Sequence, residues 1–467
     1  MITTGDDGTG LVVNPKAKEI LRQITKPMVI VSVVGMYRTG KSFLLNCLMK
    51  KTNGFPLGST VEAKTKGIWM WTGDFPNDPN KAMVLLDTEG LHDPEKGSRT
   101  HDTEIFTLAV LFSSIMIYNC KGSIDANSLD VLHVASELTS NISMKADKDD
   151  DEEEFGDEFA NFFPLLVWAV RDQHLELSVD GKDITANEYL ENCLALKRGR
   201  SKAAISSNAL KETIRAFFKR RHCFLFPLPT AMENLKNLDN LGIEELDPKF
   251  IKAGNDFTEF VFQNGLCKMV NGKEVTGSMF TTLVEQYVEA TGFINMESTY
   301  DYLIETENKR ATEQAVLHYQ TQMKSIVFPV TLDTLNKANT KTQSEASDIF
   351  LKTAVNNDKN VQYFRELNQQ LEQIYQAHFE KNHVTSKEKC EKILADLYMK
   401  IEKEVDAGKF TQPGGHAAFR NLIVNLEESY NAVPDSEKGP GGQIALFTFK
   451  ARQVMKALPI NIDIIVI

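Results

Sequence analysis

Val33-Val34-Gly35-Met36-Tyr37-Arg38-Thr39-Gly40-Lys41-Ser42 joins the end of an apolar run to a G-x-x-x-x-G-K-S loop. Upstream, Met28 to Val34 is mostly apolar and β-branched, as a strand buried in a parallel sheet requires. Downstream, Phe43, Leu44, Leu45 and Leu48 fit the buried side of a helix. Strand, glycine-bounded loop and helix, in that order, are the context in which this motif holds phosphate. Gly35 and Gly40 let the backbone come close, so successive N–H groups and the helix N-terminus can cradle phosphate oxygens. Lys41 would reach the β- and γ-phosphates, and the Ser42 hydroxyl would help to hold Mg²⁺.

Further along, Met83 to Leu86 reads as a second buried strand running into Asp87-Thr88-Glu89-Gly90-Leu91, which has the D-x-x-G form. Asp87 would bind Mg²⁺ through water, and the Gly90 N–H would meet the γ-phosphate. Thr65 lies between the loop helix and this strand, where a γ-phosphate-sensing switch belongs. Its hydroxyl could complete the Mg²⁺ shell; alone, it is equally a plain loop threonine. Asp172, at the end of the strand Leu165–Val170, could accept from guanine N1–H and N2–H₂, a pairing adenine cannot offer. The usual Asn/Thr-Lys-x-Asp form is missing, so an exposed Arg171–Asp172 pair remains the alternative. Leu91 stands where small GTPases carry a water-orienting glutamine. Either hydrolysis is poor, or other groups hold the water. Arg38 could act as an arginine finger in cis, with a loop salt bridge as its other reading, and Glu89 could join a water-positioning network.

Around this nucleus the chain divides. Residues 11 to 25 alternate apolar and charged positions and predict a strand and turn. Ile105–Leu111 predicts a helix, Ser114–Asn119 a third strand, and Cys223–Phe226 a last core strand. Strands alternating with helical stretches predict an α/β domain with a mainly parallel sheet over residues 1–293. From 294 to 467 strand signals vanish, and three-to-four spacing takes over at Phe364-Leu367-Leu371-Ile374-Phe379, at Leu394-Leu397-Ile401-Val405 and at Phe419-Leu422-Leu426-Tyr430. That region predicts an all-α bundle, its stripes serving as core or, less simply, as a partner groove. Asp147 to Glu158 is an acidic block and reads as a solvated surface loop.

Composition excludes several classes. A net charge of −12 over 467 residues argues against general nucleic-acid binding. Six scattered cysteines with no C-x-x-C pair are neither a disulfide framework nor a zinc module, and suit a reducing cytosol. No signal peptide, run of about 18 apolar residues or C-terminal prenylation cysteine is visible, which predicts a cytoplasmic protein.

These motifs together resemble the guanylate-binding proteins, the interferon-induced large GTPases of the dynamin superfamily. The likeness rests on Gly-Met-Tyr-Arg-Thr-Gly-Lys-Ser at 35–42, Leu-Gly-Ser-Thr-Val at 57–61, Thr-Lys-Gly-Ile-Trp-Met-Trp at 65–71 and Asp-Thr-Glu-Gly-Leu at 87–91. Phe-Phe-Pro at 162–164, Arg-Asp at 171–172, Glu-Glu-Leu-Asp-Pro at 244–248 and Gln-Pro-Gly-Gly at 412–415 extend it over nearly the whole chain. The resemblance implies a P-loop large GTPase domain followed by a helical middle domain that is short for the family. It implies hydrolysis of GTP to GDP, and in some members to GMP, and dimerisation through the GTPase domains when GTP is bound. It also implies a part in cell-autonomous innate immunity, with recruitment to vesicles or pathogen-containing vacuoles and pathogen membranes or inflammasome-type proteins as partners. Carried over by motif, Arg38, Lys41 and Glu89 are the catalytic residues. Ser42, Thr65 and, through water, Asp87 are the Mg²⁺ ligands. The nucleotide-contacting set takes in Gly35, Tyr37, Thr39, Gly40, Lys41, Ser42, Phe43, Lys64, Thr65, Asp87, Gly90, Arg171 and Asp172. Three positions depart from the family pattern: Ala63 where a serine often stands, His92 in place of a small residue, and Pro227-Leu228-Pro229 in place of a more basic guanine-cap segment.

Overall fold

The structure is a computed structural model. It describes every residue except 6–9, 38, 51–53, 56–64, 92–98, 126–127, 130–141, 144–162, 199–201, 236–240, 242, 271, 291–293, 356–359, 413 and 463–467, and gives the backbone alone for 142–143, 202–203, 243, 294–297 and 454–462. The chain forms two compact units, Met1–Leu303 and Ile304–Ile467.

An eight-stranded sheet organises the first unit. Its strands are β1 (Ile2–Thr4), β2 (Leu11–Val13), β3 (Met28–Gly35), β4 (Ile68–Phe75), β5 (Asp78–Thr88), β6 (Ile115–Lys121), β7 (Leu165–Arg171) and β8 (Arg221–Leu225). Across the sheet they run β8-β7-β6-β3-β5-β4-β1-β2. The five strands from β8 to β5 are parallel, whereas β4, β1 and β2 add on antiparallel. β3 lies at the centre with all eight residues buried, which explains why its sequence is apolar without alternation. Helices α1 (Pro15–Arg22), α2 (Lys41–Leu48), α3 (Arg99–Phe112), α4 (Ala186–Leu194), α5 (Lys202–Phe217), α6 (Pro248–Asn264) and α7 (Gly277–Glu289) complete the unit. On one face Val29, Val31 and Val33 of β3 join Leu44, Leu45 and Leu48 of α2 and Phe250, Phe257 and Val261 of α6 in a single core.

Residues 11 to 25 differ from expectation. Only Leu11–Val13 is a strand, and Pro15–Arg22 is a helix. Asn14 decides this locally: its side chain accepts from the Lys16 and Ala17 N–H groups, and Pro15 occupies the first helical turn, where its missing N–H costs nothing. Cap chemistry outweighs the alternation of apolar residues.

The helical part contains α8 (Met296–Lys324), α9 (Leu332–Thr353), α10 (Asn360–Asp406), α11 (Gly415–Asn431) and α12 (Gly442–Ile462). At 47 residues, α10 runs for about 70 Å, too long for one compact core to cover. It serves two cores in succession. Leu367 and Leu371 pack with Tyr319, Leu335 and Phe350, whereas Cys390, Leu394 and Tyr398 pack with Phe419, Leu426 and Tyr430. The three apolar stripes read from the sequence are therefore core. Among the described residues no helix is long and apolar enough to cross a membrane. The acidic block at 147–158 lies outside the described residues.

Candidate nucleotide site

β3 delivers the glycine loop to the carboxyl edge of the parallel strands, beside β6 and β5. A Cβ on Gly35 would stand 2.1 Å from the Asn119 carbonyl oxygen, so only glycine allows the loop to lie this close to β6. The same Asn119 fastens the loop from its side chain, donating from Nδ2 to the Thr39 carbonyl at 2.8 Å. Thr39 Oγ1 in turn donates to the Met36 carbonyl at 2.8 Å. Gly40 is the N-cap of α2 and no side chain caps that helix, which leaves first-turn N–H groups to an anion. Lys41 is buried, and its Nζ donates to the carbonyls of Gly35 (3.2 Å) and Met36 (3.0 Å). Burial lowers its ammonium to about 8, against the upward pull of Asp87 and Glu89. Neutral carbonyls satisfy that charge less well than phosphate oxygens would.

One turn away, three side chains converge. The Ser42 hydroxyl donates to Asp87 Oδ2 at 2.6 Å and the Thr65 hydroxyl to the same oxygen at 3.1 Å. Asp87 Oδ1 is buried without a hydrogen-bond partner among the described residues. Burial pushes this carboxyl above the ordinary aspartate range, opposed by the Ser42 hydroxyl, Lys41 and the Thr65 hydroxyl. Two hydroxyls and a carboxylate with a spare oxygen form a hard, all-oxygen donor set, the kind Mg²⁺ accepts alongside phosphate and water. Among the described residues no group of three His, Cys, Asp or Glu side chains could hold a metal by itself. A cation here therefore depends on the hydroxyls and on its ligand's own oxygens.

The turn after β5 is stitched to the glycine loop. Leu91 N–H donates to the Gly35 carbonyl at 3.1 Å, and Tyr37 N–H donates to the Leu91 carbonyl at 3.2 Å. The two loops thus form a further parallel bridge at Met36 and Leu91, beyond the strands themselves. Gly90 sits inside this contact: a Cβ there would fall 2.2 Å from Tyr37 Cα. Glu89 is buried, accepting from the Gly67 N–H at 2.6 Å on Oε2 and pairing through Oε1 with Nε2 of His101 on α3.

Arg171 and Asp172 diverge, although they are adjacent in sequence. The Arg171 guanidinium is buried beside α2, with its centre 5.6, 5.2 and 5.5 Å from the rings of Phe43, Phe226 and Phe250. A Cβ built on Gly40 would lie 3.7 Å from its Nη1, so the cation sits directly behind the glycine loop. Its Nε and Nη1 have no hydrogen-bond partner among the described residues, and burial lowers its pKa. Asp172 adopts φ +54°, and its Oδ2 meets Nζ of Lys121, from the end of β6, at 3.1 Å. The exposed Arg171–Asp172 pair offered as the alternative reading is therefore absent: lysine, not arginine, partners Asp172.

The structure thus gathers Gly35, Tyr37, Thr39, Gly40, Lys41, Ser42, Thr65, Asp87, Glu89 and Gly90 about one loop, with Phe43 and Arg171 behind it and Asp172 at the end of β7. Arg38 and Lys64, with Ala63 and His92, lie outside the described residues. Sequence reading missed Asn119, His101 and Lys121. Asn119 and Lys121 had a usable signal, since both are polar residues closing the apolar run of β6 at the edge where α/β proteins bind ligands. His101 had none.

A glycine loop between a central parallel strand and a helix, faced by an Asp-x-x-Gly turn on the neighbouring strand, defines a P-loop α/β protein joined to a helical unit. Residues 8–270 match the family model "Guanylate-binding protein, N-terminal domain", and residues 271–455 match "Guanylate-binding protein, C-terminal domain". The chain is 39% identical over 452 residues to guanylate-binding protein 1 of Chlorocebus aethiops, covering 95% of this chain and 76% of that protein. It is 40% identical over 430 residues to guanylate-binding protein 2 of Homo sapiens, covering 91% of this chain and 73% of that protein. This chain belongs to the guanylate-binding protein family.

Proposed function

We propose that this protein is a Mg²⁺-dependent GTPase that converts GTP to GDP, with GMP as a further product to be sought. The observation that carries the reading is the convergence of Ser42 and Thr65 on Asp87, whose second oxygen is buried without a partner among the described residues, beside the buried Lys41. In this reading Ser42, Thr65 and, through water, Asp87 hold Mg²⁺, which would neutralise charge on the β- and γ-phosphates. Lys41 exchanges its loop carbonyls for phosphate oxygens, the first-turn N–H groups of α2 complete the cradle, and Asp172 receives the guanine edge. Arg38 supplies the positive charge that stabilises the transferring phosphoryl group. Two copies dimerise through their GTPase domains when GTP is bound, and the protein acts in the cytoplasm in innate defence, at vesicles or pathogen-containing vacuoles.

GTP and ATP hydrolysis measured over a range of protein concentrations, with the products resolved, tests this. The expected result is turnover of GTP alone, rising per molecule with concentration. Comparable ATP turnover, or no GTP turnover at any concentration, rejects it. Arg38→Ala is expected to lower turnover far more than GTP affinity.

A second reading, a nucleotide-regulated scaffold with negligible catalysis, is favoured by one observation. Both Glu89 oxygens are already engaged, by the Gly67 N–H and by His101, rather than open to water. Single-turnover hydrolysis separates the two: GTP that binds and stays intact identifies the scaffold.

A further inference from the structure

The base end of the site holds a charge pair that the recognition motifs leave unexplained. β6 and β7 are parallel neighbours in register, Lys121 opposite Arg171, so Lys121 and Asp172 leave the sheet edge side by side. The Gly122 N–H donates to the Arg171 carbonyl at 2.7 Å and the Gln173 N–H to the Phe226 carbonyl at 3.0 Å, which fixes both strand ends around the pair. Asp172 is held at φ +54°, a conformation unusual for a residue with a side chain. Its Oδ2 meets Lys121 Nζ at 3.1 Å, with 64% of the lysine side chain and 22% of the aspartate exposed. Arg171, by contrast, is enclosed by Phe43, Phe226 and Phe250. The cation next to Asp172 at the surface is therefore Lys121.

Guanine presents three groups in a row along one edge: the O6 carbonyl, N1–H and the N2 amine. A carboxylate can accept from the two donors, but it repels O6. A cation immediately beside the carboxylate removes that conflict. We propose that Lys121 is a specificity-determining residue of the nucleotide site, donating from Nζ to guanine O6 while Asp172 accepts from N1–H and N2–H₂. This rests on the GTP reading above. Adenine fails at both halves, since it places an amine against the ammonium and an unprotonated nitrogen against the carboxylate. Purine selectivity then comes from an ion pair spanning two strand ends, in a chain without the Asn/Thr-Lys-x-Asp sequence.

The test is a binding cycle with the full chain and Mg²⁺, measuring affinities for the triphosphates of guanosine, inosine and 2-aminopurine riboside. Inosine keeps O6 and N1–H and loses the amine; 2-aminopurine keeps the amine and loses O6 together with the N1–H, so it binds the unaltered protein more weakly and serves only as the nucleotide with nothing for Lys121 to contact. Lys121→Ala is expected to weaken the guanosine and inosine nucleotides by about tenfold each, a modest loss for a charged donor at a half-exposed site, and to leave the 2-aminopurine nucleotide unchanged. Lys121→Arg, which keeps a charged donor, retains most of the affinity. Lys121→Ala without effect on any nucleotide overturns the proposal, as does equal loss for all three, which marks a general surface charge. Failure of the unaltered protein to bind the guanosine nucleotide overturns both this and the GTP reading, whereas failure of the Lys121 variants alone to discriminate overturns only this one.

Discussion

The helical unit and the sheet edge of the first unit handle buried polar groups differently, although away from that edge Asn46 pairs with the Phe55 backbone as the helical asparagines do with theirs. In the helical unit they are spent on the backbone. Asn382 donates to and accepts from Val330 (2.9 and 2.8 Å), Asn308 does the same with Val355 (3.3 and 2.8 Å), and Ser386 joins Lys438 O to Gly441 N. Each asparagine acts as one rung of a strand, pairing both the N–H and the carbonyl of a loop residue. At the sheet edge of the first unit the balance is different. Among the described residues, Asp87 Oδ1, Asn119 Oδ1 and two nitrogens of Arg171 are buried without hydrogen-bond partners, against Arg310 Nε and Gln453 Oε1 in the helical unit. A fully paired buried group holds the fold, and one with capacity left over awaits something else.

Substitutions should separate these two uses of polarity. The largest effect is expected from Lys41→Ala, which removes a buried cation whose partners are loop carbonyls. GTP turnover should fall by roughly a hundred- to a thousandfold, with no loss of thermal stability. Single-turnover assays and melting curves check both halves, and a protein that instead unfolds makes Lys41 structural.

Asn382→Ala should do the reverse. It strands a half-buried N–H and carbonyl of Val330 and should cost about 2 kcal/mol of stability in urea unfolding. GTP affinity of the folded fraction should not change.

Lys268 tests a buried cation away from the glycine loop. It donates to the Ser113 carbonyl at 3.1 Å, and burial lowers its ammonium to about 8. Between that value and the ordinary lysine range the unfolded chain holds more protons than the folded one. The contribution of Lys268 to the unfolding free energy should therefore rise with pH above about 8, by up to about 1.4 kcal/mol per pH unit, beside that of Lys41 and against that of the buried cysteines, whose thiols burial pushes up. Lys268→Met should flatten that rise. The smallest effect is expected from Arg171→Met. It should weaken GTP binding by about tenfold, and the melting temperature should stay level or rise as a buried charge without full pairing is replaced by an apolar chain.

Much of this was legible in the sequence, because the motif and the sheet obey the same rule. Apolar runs without alternation marked β3, β5, β6 and β7, and chemically active residues follow directly after them, as parallel sheets require. The stripes of α10 and α11 were legible because each faces a core. What escaped depends on contacts between distant segments. His101 reaches Glu89 from another helix, and Lys121 reaches Asp172 only because β6 and β7 are adjacent and in register. Nothing in the string distinguishes the aromatic ring around Arg171 from ordinary core, since Phe43, Phe226 and Phe250 come from three separate elements. In residues 11 to 25 the Asn14-Pro15 cap overrides the alternation of apolar and charged positions.

The buried guanidinium behind the glycine loop also bears on ionic strength. Salt weakens attraction between charges that counterions can surround, and Lys121 at the surface is such a charge. Arg171 is enclosed by three aromatic rings and lies beyond the reach of a counterion. Its field crosses protein rather than electrolyte on the way to whatever occupies the loop. The site therefore keeps part of its pull on a polyanion when the solution around it is concentrated, and the salt dependence of nucleotide affinity counts only the cations at its rim.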